Sequence, residues 1–211
     1  MKDVILLGAS GLAREVIAAA GDRFRVVGIL DDNPELHGSR IDGVGVLGPV
    51  HDAVRVRTPL LICVGTGRGR HAIADRLAAF DVGEDRFGTF VDASVRIPPG
   101  CTVKPGSIVL AGVVLTVMVR IGRHCVVMPN VTLTHDDALG DFVTVAAGAS
   151  LGGGVTVGEG AYLGMNASVR QGVHVGAGAI VGMGAAVVAD VPAGETWVGV
   201  PARSLYQRSA V

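Results

Sequence analysis

The sequence predicts an α/β unit with a parallel sheet over 1–88, followed by a parallel β-helix with a C-terminal tail over 89–211. Three observations predict it. Short apolar runs alternate with helical patterns in the first part. From Val91 onward an aliphatic residue recurs at every sixth position. Glycine is abundant, at 32 residues, while aromatic residues make up only 4%, a composition that signals a repeat.

In the first part, residues 3–7 (DVILL) read as a buried strand and Gly8-Ala9-Ser10-Gly11 as a tight turn. Residues 12–20 read as a helix with Leu12, Val16 and Ala19 on one face. A second strand at 25–30 ends at Asp31-Asp32-Asn33-Pro34, and a short stretch around 44–47 follows. Residues 59–64 (PLLICV) form another strand, and Gly65-Thr66-Gly67 opens a helix over 70–80. Strands separated by helices make a small Rossmann-like unit, in which ligands sit at the carboxyl ends of the strands. Three loops lie there: 8–11, 31–33 and 65–70.

In the second part, every sixth residue from Val91 to Val187 is Val, Ile or Leu. Each hexad is one short strand and a corner, and three hexads make a triangular coil. The aliphatic side chain points inward. Four residues later comes a second inward position, held small or β-branched because the triangle is narrow; Asp137 is the one exception. Glycines serve the corners. One coil cannot bury its own inner face, so stacking supplies the core. Cys101 and Cys125 fall at second inward positions and read as core fillers, and Trp197 as a cover for the last coil.

Composition narrows function. A formal net charge of −1 and the lack of a long basic run argue against a nucleic-acid binder. No apolar stretch is long enough for a membrane span. The opening residues read as a first strand rather than a signal peptide. Three scattered cysteines, Cys63, Cys101 and Cys125, form neither a metal pair nor a disulfide framework, in keeping with a reducing cytoplasm.

The hexads resemble the left-handed β-helix of the hexapeptide-repeat acyltransferases, and the left hand follows from that resemblance alone. The tail Trp197-Val198-Gly199-Val200-Pro201-Ala202-Arg203 is similar to the G-x-P-A-[RK] ending of that superfamily. With the leader's G-A-S-G at 8–11 and Asp31-Asp32 after its second strand, the chain resembles bacterial acetyltransferases of nucleotide-linked amino sugars. Sialic acid O-acetyltransferases and perosamine N-acetyltransferases share the layout. The resemblance implies acetyl-CoA as cosubstrate, no metal, a nucleotide-linked amino sugar as acceptor, and a homotrimer with active sites between subunits. It leaves O-acetylation of a sugar as an alternative. A non-catalytic trimeric nucleotide-sugar-binding protein and an NAD-binding leader are readings of other classes.

Among six histidines, His135 stands out, in Thr134-His135-Asp136-Asp137. By resemblance it is the general base, with Asp136 or Asp137 as its orienting partner; without the resemblance these residues are a polar corner. The acetyl-CoA contacts carry over to Thr144, Gly153, Met165 and Met183, with the Gly153 amide as an oxyanion donor. The same residues also read as corner glycine and interface packing. The nucleotide-sugar contacts carry over to Ser10, Gly11, Leu12, Asp31, Asp32, Gly65, Thr66 and Arg70, the last as a phosphate partner. Leu12 stands where many relatives have histidine, and a leader without ligand is the competing reading. His124 and His174 read as solvated corners, and His37, His51 and His71 as surface residues of the leader. Arg203 and Arg208 read as phosphate contacts or plain tail charges.

Overall fold

The computed structural model describes residues 1–206. The leader is a five-stranded sheet of β1 (Lys2–Leu7), β2 (Phe24–Leu30), β3 (Arg40–Ile41), β4 (Val44–Gly48) and β5 (Leu60–Ile62), in the order β3-β4-β2-β1-β5. Only β3 runs antiparallel, against β4. The interior strand β1, between β2 and β5, buries Val4, Ile5, Leu6 and Leu7 on both faces, as a strand between covered faces must. Helix α1 (Gly11–Ala19) is capped by Ser10, and helix α2 (Gly67–Ala78) by Thr66. Helix α2 thus begins earlier than the sequence pattern predicts, which puts Arg70 in its first turn.

From Phe90–Val91 the chain winds into parallel ladders, each strand bonding to the one eighteen residues on. The covered face, which carries the leader, runs through Ile108–Val109, Val126–Val127, Thr144–Val145, Tyr162–Leu163 and Ile180–Val181. The Thr102 face begins at Thr102–Val103 and the Val114 face at Val114–Leu115. The inward aliphatic residues from Val109 to Val187 are buried, and so are the second inward residues, Asp137 among them. The end coil departs from the pattern. Ile97 is 38% exposed, because the Val114 face has no strand before Val114–Leu115 and nothing covers that end. At the other end Trp197 pairs with Val181 and is half-buried against the core.

The leader docks through two apolar contacts. Leu12, Ala13 and Val16 share a cluster with Phe90, Ile108, Leu110 and Val126 of the β-helix, and Phe142 joins the cluster around Leu77. Between them lies Arg70, fully buried. Its Nε donates to the His124 carbonyl at 2.7 Å, Nη1 to Val64 and Gly65, and Nη2 to Phe142, Val143 and the Thr144 hydroxyl. Among the described residues no carboxylate pairs with it, and burial pulls the guanidinium down to about 10. Gly67 is held to glycine by the same joint, since a Cβ there would strike the Phe142 carbonyl.

His124 is not a solvated corner. Docking of the leader buries it completely, stacked on Phe142 and edge-on to Phe87. Its Nε2 lies 3.3 Å from Glu84, and burial lowers its pKa.

Replacing Arg70 with alanine strands several buried carbonyls. Denaturant unfolding is expected to show a loss of about 3–5 kcal/mol, the usual effect of removing one partner from a buried charged network.

Candidate active site

His135 sits on the edge where the chain passes from Thr132–Leu133 to Ala138–Leu139. Its neighbour Asp136 has φ 64°, the left-handed corner conformation that Gly100, Gly154 and Gly172 adopt along the same edge. Aspartate tolerates this region because its short side chain can bond locally. Here the Asp136 Oδ2 lies 2.9 Å from His135 Nδ1. An Nδ1–H donated to that carboxylate leaves Nε2 with its lone pair free. The imidazole edge rests on the backbone of Gly153, one coil on, where a Cβ would collide with Nε2. The Gly153 N–H has no acceptor among the described residues. The pair is open to solvent, with side-chain exposures of 53% and 61%.

Asp137 turns the other way. It is fully buried, its Oδ2 accepting from the Thr134 amide at 2.7 Å and its Oδ1 from the Val155 amide at 2.9 Å. Of the two acids, Asp136 is therefore the one on the imidazole, and Asp137 serves the backbone. Burial raises the Asp137 carboxyl to about 6, against the pull of its two amide donors.

The expected acetyl-CoA residues fall on different edges of the prism. Gly153 shares the edge of His135. Met165 and Met183 lie on the edge between the covered face and the Val114 face, and Met183 is 73% exposed. Thr144 is buried under the leader, its hydroxyl donating to the Gly65 carbonyl and accepting from Arg70. Its hydroxyl is thereby engaged, while the residue also lines the cleft between the leader and the covered face.

In the leader, most of the polar groups expected to bind ligand already hold loops together. Ser10 donates to the Cys63 carbonyl and accepts from the Leu12 amide. Asp31 accepts from the Ala9 and Asn33 amides, while Asp32 accepts from the Val50 amide and pairs with Arg76 at 2.6 Å. Thr66 caps α2 through the Gly69 amide. Arg70 cannot meet a phosphate, for its donors are all engaged with the protein itself. Gly11, Leu12, Gly65 and Thr66 line a cleft of about 460 Å³ between the leader and the covered face, closed on the far side by Tyr162 and Met165. Leu12 is nearly buried, in the apolar cluster.

His71 is half-exposed and stacks on Phe142, and His174 is exposed, bonded to Thr156 on the Thr102 face. Arg203 donates to the Ala202 carbonyl, and Arg208 lies outside the described residues. Among the described residues no group of three or more metal-ligating side chains gathers, and no helix is long and apolar enough to cross a membrane.

Residues 154–189 match the family model for the hexapeptide repeat of succinyl-transferase. No curated protein sequence matches the chain. Among solved structures, the acetyltransferase domain of PglB from Neisseria gonorrhoeae FA1090, in complex with acetyl coenzyme A, is similar at 29% identity and a TM-score of 0.87. The likeness covers 97% of this chain and 99% of that one. PerB from Caulobacter crescentus, in complex with CoA and GDP-perosamine, is similar at 29% identity and a TM-score of 0.86, over 97% of each chain. WeeI from Acinetobacter baumannii AYE shares the fold at 23% identity and a TM-score of 0.60, over 97% of this chain and all of that one. The chain carries a hexapeptide repeat and is a sugar acetyltransferase.

The acetyltransferase also carries cleft residues that the sequence reading passed over: Glu15, Met128 and Tyr162. A signal for Tyr162 was present. Val126, Thr144 and Tyr162 are spaced by eighteen, so they stack outward on one ladder.

Two outcomes are expected. Gly153→Ala displaces the His135 ring and lowers turnover by about 100-fold, the usual effect of an ångström-scale misplacement, as read by steady-state kinetics. For Asp137 the folded-state pKa is raised, so folding favours its protonated form. The stability that this proton provides is present below pH 4 and lost as pH rises toward 6. Asp137→Asn cannot titrate, so its stability relative to the parent enzyme should rise by up to about 3 kcal/mol between pH 4 and 7 in denaturant titrations, on top of a constant cost from the amide acceptor it lacks.

Proposed function

We propose that this enzyme transfers the acetyl group of acetyl-CoA to the amino group of a nucleotide-linked amino sugar, with His135 as general base. The observation that carries the reading is the His135 imidazole, bonded to Asp136 through Nδ1 and resting on Gly153 with Nε2 unblocked. The amine attacks the thioester carbonyl directly and its proton passes to Nε2. The Gly153 N–H stabilises the oxyanion. Collapse then breaks the C–S bond, and the imidazolium returns the proton to the departing CoA thiolate. The complexes of PglB with acetyl coenzyme A and of PerB with CoA and GDP-perosamine support this donor and acceptor.

The β-helix is left-handed in this reading, as the hexads' resemblance implies. Residues 1–88 are a Rossmann-like nucleotide-sugar domain, and 89–211 carry the acetyl transfer. The loop 8–11 at the start of α1 offers amides to the phosphates. The working unit is a homotrimer with each site between two subunits. Support comes from the edges of the prism: His135 and Gly153 lie on one, Met165 and the leader cleft on another. A neighbouring protomer would bring the two edges together. Three free cysteines are in keeping with a cytoplasmic setting.

The test is a thiol-release assay with acetyl-CoA across UDP-, GDP- and dTDP-linked amino sugars, with sialic acid as the O-acetylation control. Turnover should appear on an amino sugar, and His135→Ala should lower kcat by about 10²–10⁴-fold. A His135→Ala enzyme with unchanged kcat, or turnover confined to the hydroxyl acceptor, rejects the reading.

A further inference from the structure

The corner that carries His135 is wired differently from its neighbours. From Lys104 to Gly182 the residue after an inward aliphatic residue regularly donates its amide to the next coil. Thr116 donates to the Leu133 carbonyl, Gly152 to Val169 and Arg170 to Val187 on the same face, and the other faces repeat the pattern. Thr134 breaks it. Its amide turns inward to the Asp137 carboxylate, and its hydroxyl takes over the Leu151 carbonyl at 2.9 Å. The second Asp137 oxygen accepts the amide of Val155 in the next coil. Two side chains thus replace a backbone rung between the coils that bear His135 and Gly153.

The substitution is not a requirement of the fold. The second inward positions of the adjacent coils hold Val119 and Val155, both fully buried, and those coils close without a carboxylate. An inward acid is costly to bury, and this one sits two residues from His135 without touching the ring's partner atom. What it does touch is the backbone on both sides of the step from His135 to Gly153.

We propose that Asp137, together with the Thr134 hydroxyl, is a positioning residue that sets the height and tilt of the His135 imidazole over Gly153. The proposal rests on His135 as the base. The carboxylate spans the two coils as a strut: one oxygen holds the start of the corner, the other the end of the Gly153 corner above. The geometry of the proton-accepting Nε2 against the Gly153 N–H is thereby tied to a group that never meets substrate. The titratable groups beside Asp137 are His135 and Asp136 of its own corner; the coils packed above and below contribute only Val155 and Val119 at its level. Protonation of the strut removes an acceptor from one of its two amides, so the corner loosens in acid.

The experiment compares the intact enzyme with Asp137→Val, Asp137→Asn, Thr134→Val and Thr134→Ser. Asp137→Val, which restores the core residue of the neighbouring coils, should keep the fold by circular dichroism and thermal melting. Its kcat should fall about 10- to 100-fold, the usual effect of a misplaced catalytic group, while KM for acetyl-CoA and for the sugar stays within about twofold. Thr134→Val should fall likewise and Thr134→Ser should be rescued, since serine keeps the hydroxyl. The acid limb of kcat against pH should be steeper in the parent than in Asp137→Asn.

A second readout needs no turnover. In enzyme labelled at the histidine ring, the His135 resonance should shift in Asp137→Val. Unchanged kcat and an unmoved His135 resonance in that variant overturn the proposal. So does a loss of kcat that simply follows lost folded protein; should the valine variant fail to fold, the near-isosteric Asp137→Asn decides by the same criteria. If His135→Ala keeps full turnover, the reading of the base falls instead, while the resonance still tests the strut.

Discussion

Stacking in steps of eighteen residues is the constraint on which the rest of the structure depends. Each strand is only two or three residues long and would be worthless alone. It persists because the same position one coil earlier and one coil later bonds to it and covers it. The triangle is too narrow for two large side chains per hexad, so one inward position is aliphatic and the other, Asp137 apart, small or β-branched. Everything placed on the outside inherits that spacing. His135 meets Gly153 and Thr144 meets Tyr162 for the same reason, each pair being eighteen apart.

The second organising interaction is the joint between leader and β-helix. It combines an apolar contact with a guanidinium that has no counter-ion. A lysine could not replace Arg70 there, because the acceptors are spread around a planar fork. Carbonyl partners offer less than a carboxylate would, yet they are already in place at the corners of the β-helix and at the end of β5. The carbonyls of Val64, His124 and Phe142 have no backbone donor among the described residues, while that of Val143 also accepts the Val126 amide. It also decides which corner residues are hidden, since His124 and Phe142 would face water without the leader.

Much of this was legible in the sequence. The inward positions from Val109 to Val187 could be read from period alone, because period reports packing within the repeat. Ile97 could not, since its exposure depends on where the stack ends. The strands and helices of the leader were legible from apolar pattern. The roles of its polar residues were not: Ser10, Asp31, Asp32 and Arg70 carry ligand-binding chemistry, but backbone groups distant in sequence had already engaged it. Around His135 the anomaly of an inward acid was visible at Asp137, while the division of labour between two adjacent carboxylates needed coordinates. Corner conformation separates them, with Asp136 in the left-handed region and Asp137 returning to the core.

The shared joint bears on how the molecule comes apart. Leader and β-helix contribute to the same two apolar clusters, and the guanidinium at their centre belongs to both. Opening one side exposes the other's buried carbonyls and aliphatic side chains at once. The chain therefore has no inexpensive partly unfolded form in which the leader swings free. Its two architectures, one of alternating strands and helices and one built on a six-residue repeat, are expected to melt as a single cooperative unit.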